Sequence, residues 1–230
     1  MISASLTCRF LDPEVSEEDV LAACSIQIDT LSAEDVVKND KTTSVYRTRV
    51  SEVSAIVKRY NTKNIWHAVR RNFQISRARN SLISTAAFLR SGLLAPRPLA
   101  VVEQNYGPFA GQSWFVTEYL NYPTLLNYLV DESADSDLNA VLLAVNDIFT
   151  TMQQDNLSHG DMKATNVLVD QSDGLLELVL IDFDAAQRHA DRGTLKKALR
   201  RDVKRFLKNW RSQPEVESRF ESLFDQIQML

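Results

Sequence analysis

Residues 159–168 read His-Gly-Asp-Met-Lys-Ala-Thr-Asn-Val-Leu and are the most informative stretch of this 230-residue chain. The stretch holds the carboxylate of Asp161, a lysine two residues later and an asparagine five residues after the carboxylate. A helical pattern precedes it, because the apolar residues from Leu138 to Met152 recur every three or four positions. An apolar, β-branched run follows it, so we expect a polar loop between a helix and a strand.

Two polar features elsewhere complete a pattern with this loop. Downstream, Asp182 follows an apolar stretch and the turn signal Asp173-Gly174, which predicts a hairpin. Upstream, Lys58 ends the run Ala55-Ile56-Val57-Lys58, which is typical of a strand. A strand lysine, a loop Asp with an Asn five residues on, and an Asp after a hairpin form the protein-kinase-like set.

This set predicts a role for each polar residue. An alcohol nucleophile needs a carboxylate that accepts its proton, and Asp161 is the candidate base. Mg²⁺ prefers oxygen ligands, which Asn166 and Asp182 would supply. Lys163 would reach the γ-phosphate of ATP, and Lys58 would hold the α- and β-phosphates.

Other stretches bear on nucleotide binding. Thr117-Glu118-Tyr119-Leu120 is the candidate hinge, in which backbone groups of Glu118 and Leu120 would bond to adenine. The predicted hairpin loop 39–43 lacks glycine, so a backbone cradle for phosphates is less easily argued. No Asp or Glu lies between residues 53 and 102, so the glutamate that normally pairs with the lysine is missing. A substitute must position Lys58, and Asp182 is one candidate.

The order of patterns predicts an α+β chain in two unequal lobes. We expect a small, mostly-β N-terminal lobe at residues 1–120, with an acidic helical extension at about 1–35. Ser16 and Asp19 resemble a capping box and predict a helix near residues 14–24. A reduced helical lobe would follow at residues 121–230. The other predicted elements are strands at Val36–Lys38, Ser44–Val50 and Ser54–Tyr60, and a helix around Ile65–Leu89.

Charge is distributed unevenly along the chain. The net charge is −4, which argues against a nucleic-acid partner. The predicted helix Thr194–Arg211 nevertheless carries an apolar stripe on one side and a row of bases on the other. These bases are Lys196, Lys197, Arg200, Arg201, Lys204, Arg205 and Lys208. They predict an anionic partner and peripheral contact with an anionic membrane surface.

The sequence also bears on location. No stretch approaches 18 uninterrupted apolar residues, and the first residues lack the basic-then-apolar layout of a signal peptide. Cys8 and Cys24 have no metal-ligand spacing and are expected to be free thiols. We therefore expect a cytoplasmic protein, peripheral at the inner face of the bacterial inner membrane.

His-Gly-Asp at residues 159–161 stands where protein kinases have His-Arg-Asp, and is similar to the atypical kinases. Together with Leu180–His189 and the basic helix through Trp210, it resembles the bacterial lipopolysaccharide-kinase family, which phosphorylates Kdo and heptose of the inner core. The resemblance covers about residues 36 to 211 and takes in Ser76-Arg77-Ala78-Arg79 and Pro96-Arg97-Pro98-Leu99-Ala100.

The resemblance implies a two-lobed protein-kinase-like fold and an ATP- and Mg²⁺-dependent phosphotransferase. The implied acceptor is a sugar hydroxyl of the lipopolysaccharide core, or of another anionic glycolipid. The family carries Lys58 as the ATP lysine, Asp161 as the base, and Asn166 and Asp182 as metal ligands.

Two alternatives stay open. The missing glutamate and glycines favour a pseudokinase or scaffold, whereas Asp161, Asn166 and Asp182 oppose it. A small-molecule kinase of the aminoglycoside phosphotransferase type is the other alternative. Such sites usually bind cationic substrates, but the blocks that flank this motif are basic. The chain after Asp184 is also short for a peptide-binding lobe.

Overall fold

A computed structural model describes residues 4–61, 75–106, 109–130 and 137–227. The chain divides into two compact units. Unit 1 comprises residues 1–83 and 96–120, and unit 2 comprises residues 84–95 and 121–230.

Unit 1 is built on a six-stranded antiparallel sheet with the strand order β1-β5-β6-β4-β3-β2. The strands are β1 (Ala4–Leu11), β2 (Val36–Asn39), β3 (Thr43–Val50), β4 (Val53–Tyr60), β5 (Pro98–Tyr106) and β6 (Phe109–Glu118). The three strands predicted between residues 36 and 60 are confirmed. Strand β1 lies in the segment that was predicted as an acidic helical extension, and it was not predicted. It pairs with β5.

Helix α1 (Glu17–Cys24) covers one face of this sheet. Its side-chain cap is Ser16, which accepts a hydrogen bond from the Asp19 N–H, so the helix begins later than the predicted residue 14. Buried Val20 and Ala23 pack in one apolar cluster with Tyr46 of β3. The Tyr46 hydroxyl donates to the Ala23 carbonyl at 2.8 Å, which satisfies a buried polar group.

Helix α2 (Arg77–Arg90) begins in unit 1 and ends in unit 2. Ala78 packs in a separate apolar cluster with Tyr60 of β4 and Phe115 of β6. The predicted end at Gly92 is confirmed by its left-handed φ of 81°, a conformation that favours glycine. The predicted helical residues 65–74 lie outside the described part of the chain, and the prediction was wrong for Ile75 and Ser76, which precede the helix and are not helical.

Unit 2 is mainly helical. Its helices are the last turns of α2, then α3 (Leu125–Val130), α4 (Leu138–Gln154), α5 (Arg192–Leu207) and α6 (Pro214–Gln226). Its strands form two antiparallel pairs, β7 (Leu157–Ser158) with β10 (Gln187–Arg188) and the hairpin β8 (Val167–Asp170) with β9 (Glu177–Leu180). The predicted apolar stripes of α4 and α5 are buried in one core with Trp210.

The α+β class is therefore confirmed. Among the described residues, no helix is long and apolar enough to cross a membrane.

Candidate active site

The loop at residues 159–163 follows β7 and leads into a 3₁₀ turn at Ala164–Asn166 and then β8. The sequence predicted the helix before the loop and the strand after it, but not the short strand β7 that leads into the loop. All four predicted catalytic and metal-binding residues of this region, Asp161, Lys163, Asn166 and Asp182, lie in unit 2.

One buried carboxylate holds the loop backbone. Asp202 of α5 accepts the N–H of His159 at 2.9 Å and of Gly160 at 3.0 Å on Oδ2. Its Oδ1 accepts the Met162 N–H at 3.4 Å. Burial raises the pKa of the Asp202 carboxyl, and the three N–H donors act in the opposite direction, favouring the ionised form. The loop is therefore anchored to a helix 40 residues downstream through its main chain.

His159 is structural in this arrangement. It is fully buried, and its Nε2 donates to the Ile181 carbonyl at 3.0 Å. A carbonyl only accepts, so Nε2 carries the hydrogen. Burial lowers the pKa of the imidazole, although the Asp202 charge opposes that shift. The ring is neutral and links the loop to the segment before Asp182.

Gly160 is required by two features of the turn. Its φ is 78°, and a Cβ at this position would overlap the Ala185 carbonyl oxygen. The Ala185 oxygen belongs to the backbone, so the overlap cannot be relieved by a side-chain rotation. This explains a glycine between the histidine and Asp161.

We expect Gly160→Ala to lower the free energy of unfolding by about 2–4 kcal/mol and to reduce turnover sharply, because it adds left-handed strain and a backbone overlap. Gly174→Ala is the matched control, since Gly174 has a φ of 76° but no atom within 4 Å of a built Cβ. Equal losses of stability in the two variants, measured by urea denaturation, would contradict the overlap.

Asp161 presents its carboxylate at the surface of unit 2, with the side chain 29% exposed. Lys163 Nζ donates to Asp161 Oδ2 at 2.8 Å. Arg205 Nη1 lies 3.6 Å from Asp161 Oδ1. The Asp161 carboxylate therefore lies between two cations and keeps part of its surface open to solvent.

Asn166 joins the loop to the predicted metal-binding Asp182. Its Nδ2 donates to the Asp161 carbonyl at 2.9 Å, and its own carbonyl accepts the Ile181 N–H at 3.0 Å. Asp182 follows directly, with an exposed side chain and a left-handed φ of 66°. Hydrogen bonds of Asn166 thus connect the loop that carries Asp161 to the backbone directly before Asp182.

Phe183 fixes the backbone next to Asp182. It is buried, with its ring centroid 4.8 Å from that of Phe88 and 5.3 Å from that of His159. Packing of Phe183 inward leaves the neighbouring Asp182 side chain exposed. The aromatic cluster therefore supports the acid rather than forming a binding site.

The donor set fits Mg²⁺. No group of three or more His, Cys, Asp or Glu side chains suited to a metal occurs in the described residues. Asn166 and Asp182 instead offer two hard oxygen ligands. Mg²⁺ commonly takes one or two protein oxygens and completes its shell with phosphates and water. The residues therefore fit a metal that arrives with a nucleotide.

Lys58 lies in unit 1, on β4 beside an aromatic ring. Its Nζ is 5.6 Å from the centroid of the Tyr60 ring, within the range of a cation–π contact. The Arg77 guanidinium lies 4.5 Å from the same centroid, and the Tyr60 hydroxyl is 3.0 Å from Ser81 Oγ. Helix α2 thus brings a base and a hydroxyl, rather than an acid, to the neighbourhood of Lys58.

The β2–β3 turn is stabilised without glycine. Asp40 Oδ1 accepts the N–H of Thr42 at 2.7 Å and of Thr43 at 2.9 Å. The Thr42 hydroxyl, which donates to the same carboxylate, and these two N–H groups hold the pKa of the Asp40 carboxyl well below its usual range. An acidic side chain therefore engages the amides that a glycine-rich loop would present to phosphates.

The candidate hinge also lies in unit 1. Glu118 donates its N–H to the Arg97 carbonyl at 3.0 Å, and Tyr119 donates to the Ser54 carbonyl at 2.8 Å. The Arg97 N–H donates to Glu118 Oε1 at 2.7 Å rather than to the Glu118 carbonyl. Leu120 follows with a half-buried side chain.

The sequence prediction missed two residues, Asp202 and Arg205. It gave Asp202 no role and placed Arg205 in the row of bases opposite the apolar stripe. A signal for Asp202 existed, because it falls within the buried stripe of α5 next to Val203 and one turn from Leu199. The contact of Arg205 with Asp161 had no local signal.

Two comparisons identify relatives. A family model described as "Lipopolysaccharide kinase (Kdo/WaaP) family" matches residues 30–224. A solved structure described as "WaaP in complex with acyl carrier protein" is similar, with a TM-score of 0.61 and 17% sequence identity, over 96% of this chain and 89% of that chain. This likeness shows the fold, which is protein-kinase-like as predicted. No curated protein matches the chain in sequence.

Proposed function

Because the chain belongs to the lipopolysaccharide kinase (Kdo/WaaP) family, we propose that it transfers the γ-phosphate of ATP to a sugar hydroxyl of the lipopolysaccharide inner core, on Kdo or heptose. One observation carries this proposal. A buried carboxylate holds the backbone around Asp161, while the Asp161 carboxylate itself stays exposed for an incoming hydroxyl.

In the proposed reaction, Asp161 accepts the proton of the acceptor hydroxyl while the hydroxyl oxygen of the acceptor attacks the γ-phosphorus of ATP. The new P–O bond forms as the bond to the β–γ bridging oxygen breaks, and ADP leaves. Lys163, 2.8 Å from the Asp161 carboxylate, would stabilise charge on the transferred phosphoryl group. Asn166 and Asp182 would hold Mg²⁺, which when bound neutralises phosphate charge.

The nucleotide would bind mainly through residues 1–120, which we propose as the N-terminal lobe, with residues 121–230 as the catalytic lobe. Lys58 would hold the α- and β-phosphates. At the hinge, the Glu118 carbonyl would accept a hydrogen bond from adenine, since the Arg97 N–H bonds to the Glu118 carboxylate instead. The Leu120 N–H would donate the second hydrogen bond.

Asp182→Asn is expected to weaken the Mg²⁺-dependent stabilisation of the protein by ATP, because a charged metal ligand becomes a neutral amide. The measurement is the shift in Tm caused by ATP with Mg²⁺ and with EDTA. Asp173→Asn, an exposed acid in the turn between β8 and β9, is the control.

The same measurement distinguishes the proposed kinase from a scaffold. That alternative keeps some support, because helix α2 has no acidic residue and the β2–β3 turn has no glycine. If ATP and Mg²⁺ leave the Tm of the wild-type protein unchanged, the scaffold alternative is favoured. Cations on both sides of Asp161 argue against the aminoglycoside-type alternative, since they would repel a cationic acceptor.

We also propose a cytoplasmic location with peripheral contact at the inner face of the bacterial inner membrane. The seven bases from Lys196 to Lys208 are exposed; six lie on α5 and Lys208 directly follows it. On the opposite side of the helix, Leu199, Val203 and Phe206 are buried. WaaP is described in complex with an acyl carrier protein, so a carrier protein is a second partner to test.

We expect the triple variant Arg201→Glu, Lys204→Glu and Lys208→Glu to bind anionic vesicles at least about 100-fold more weakly, since each base near such a surface contributes about 1 kcal/mol. The measurement is sedimentation with vesicles containing phosphatidylglycerol. Activity on a delipidated acceptor should be retained. Unchanged sedimentation would remove the membrane proposal without affecting the catalytic assignment.

A further inference from the structure

Two cations approach the Asp161 carboxylate. Lys163 Nζ and Arg205 Nη1 approach its two oxygens, at 2.8 and 3.6 Å respectively. Lys163 has a proposed role at the transferred phosphoryl group, whereas Arg205 has none in the reaction. Arg205 is therefore a second cation beside the proposed base, and the proposed reaction leaves it without a role.

The position of Arg205 is set by the fold. Arg205 lies three residues after Asp202 on α5, so the two side chains are neighbours on the helix surface, about one turn apart. Asp202 accepts three N–H groups of the loop that carries Asp161. The adjacent Phe206 is fully buried. Helix α5 therefore cannot shift relative to the loop without breaking buried hydrogen bonds, and Arg205 is kept beside Asp161.

The Arg205–Asp161 pair is open to exchange. The two side chains are 45% and 29% exposed, and ion pairs of that exposure contribute about 0–1 kcal/mol. An anionic ligand can thus replace Asp161 as the partner of the guanidinium at little cost. The planar guanidinium matches a carboxylate or phosphate with two parallel hydrogen bonds, which a lysine does not.

We propose that Arg205 binds an oxyanion of the acceptor, a carboxylate or phosphate close to the hydroxyl that Asp161 deprotonates. Arg205 is then a specificity-determining residue, and the protein prefers an acidic sugar to a neutral one. Of the two inner-core sugars, Kdo is a sugar acid whereas heptose carries no charge of its own. This inference rests on the proposed function, because it assumes that the acceptor hydroxyl meets Asp161.

The test is equilibrium binding of delipidated inner-core acceptors by calorimetry, which requires no turnover. Three ligands are compared: a Kdo-containing acceptor, its carboxyl-reduced form and its dephosphorylated form. Each is measured with the wild type, Arg205→Gln, Arg205→Lys and the control Arg192→Gln. Arg192 is an exposed arginine in the first turn of α5.

Loss of a hydrogen-bonded charge pair typically lowers affinity about 10- to 100-fold. We expect that loss in the wild type when the bound oxyanion is removed from the acceptor, and in Arg205→Gln with the intact acceptor. Loss with the carboxyl-reduced form identifies the sugar carboxylate, and loss with the dephosphorylated form identifies a phosphate. Arg205→Lys should restore affinity only in part, and Arg192→Gln should bind like the wild type.

Two results would overturn the proposal. One is a wild type that binds all three acceptors equally. The other is an Arg205→Gln variant that discriminates between them as well as the wild type, which would make Arg205 only a neighbour that orients Asp161. Phosphate transfer is assayed in the same samples. Binding without transfer by the wild type would contradict the proposed kinase function, while the binding comparison would still decide the role of Arg205.

Discussion

Asp161→Ala is expected to reduce phosphate transfer by about 10³-fold or more while the affinity for ATP stays within a factor of about two. A positioned base typically contributes about 10²–10⁴-fold, and the acceptor hydroxyl also loses the oxygen that orients it. The loop backbone is held through main-chain groups by Asp202, so the loop should keep its conformation without the Asp161 carboxylate. The measurements are turnover under saturating substrates and ATP affinity by calorimetry.

Asp173→Ala controls for the loss of one negative charge, because Asp173 is an exposed acid in the turn between β8 and β9. Its turnover should equal that of the wild type. An Asp161→Ala variant with near-wild-type turnover would show that another group accepts the proton.

Asp202→Ala is expected to lower the free energy of unfolding by about 3–5 kcal/mol, because three buried or partly buried N–H groups lose their acceptor. For a chain of this size, that loss lowers Tm by about 10 °C. Turnover should fall as well, since the loop then holds Asp161 less firmly. Urea denaturation and differential scanning calorimetry measure the first effect.

Asp202→Asn separates acceptor loss from charge loss. It keeps one carbonyl oxygen but places an NH₂ group toward N–H donors, so its stability should fall between those of the wild type and Asp202→Ala. Asp147→Ala, an exposed acid on α4, is the control for helix substitution. Wild-type stability and turnover in Asp202→Ala would show that the loop does not depend on this carboxylate.

Much of the fold followed from local patterns. The 3.6-residue periodicity of α4 and the apolar run before Lys58 predicted elements close to those observed, because buried residues leave a recognisable pattern in the sequence. The spacing from Asp161 to Asn166 was equally local, and the structure joins the two through a hydrogen bond to the Asp161 carbonyl. Strand β1 carries a comparable trace, because Leu6, Cys8 and Phe10 alternate with polar residues, but the expectation of an acidic helical extension at about 1–35 left this strand out.

The supports of the site were not predictable in this way. Asp202 and Arg205 act on a loop about 40 residues away in the chain, and only the folded structure shows which backbone groups they meet. The surroundings of Lys58 show the same limit. The sequence indicated that an acid was missing, but the contact with the Tyr60 ring required the register of β4 and the position of α2.

The most direct test of the kinase proposal is transfer of the labelled γ-phosphate from ATP to delipidated and lipid-linked inner-core acceptors, with the product hydroxyl mapped by NMR. We predict Mg²⁺-dependent labelling of a sugar hydroxyl that is abolished by Asp161→Ala and retained in Asp173→Ala. Equal labelling by the wild type and Asp161→Ala, or no labelling of any inner-core acceptor by a wild type that binds Mg²⁺ and ATP, would contradict it.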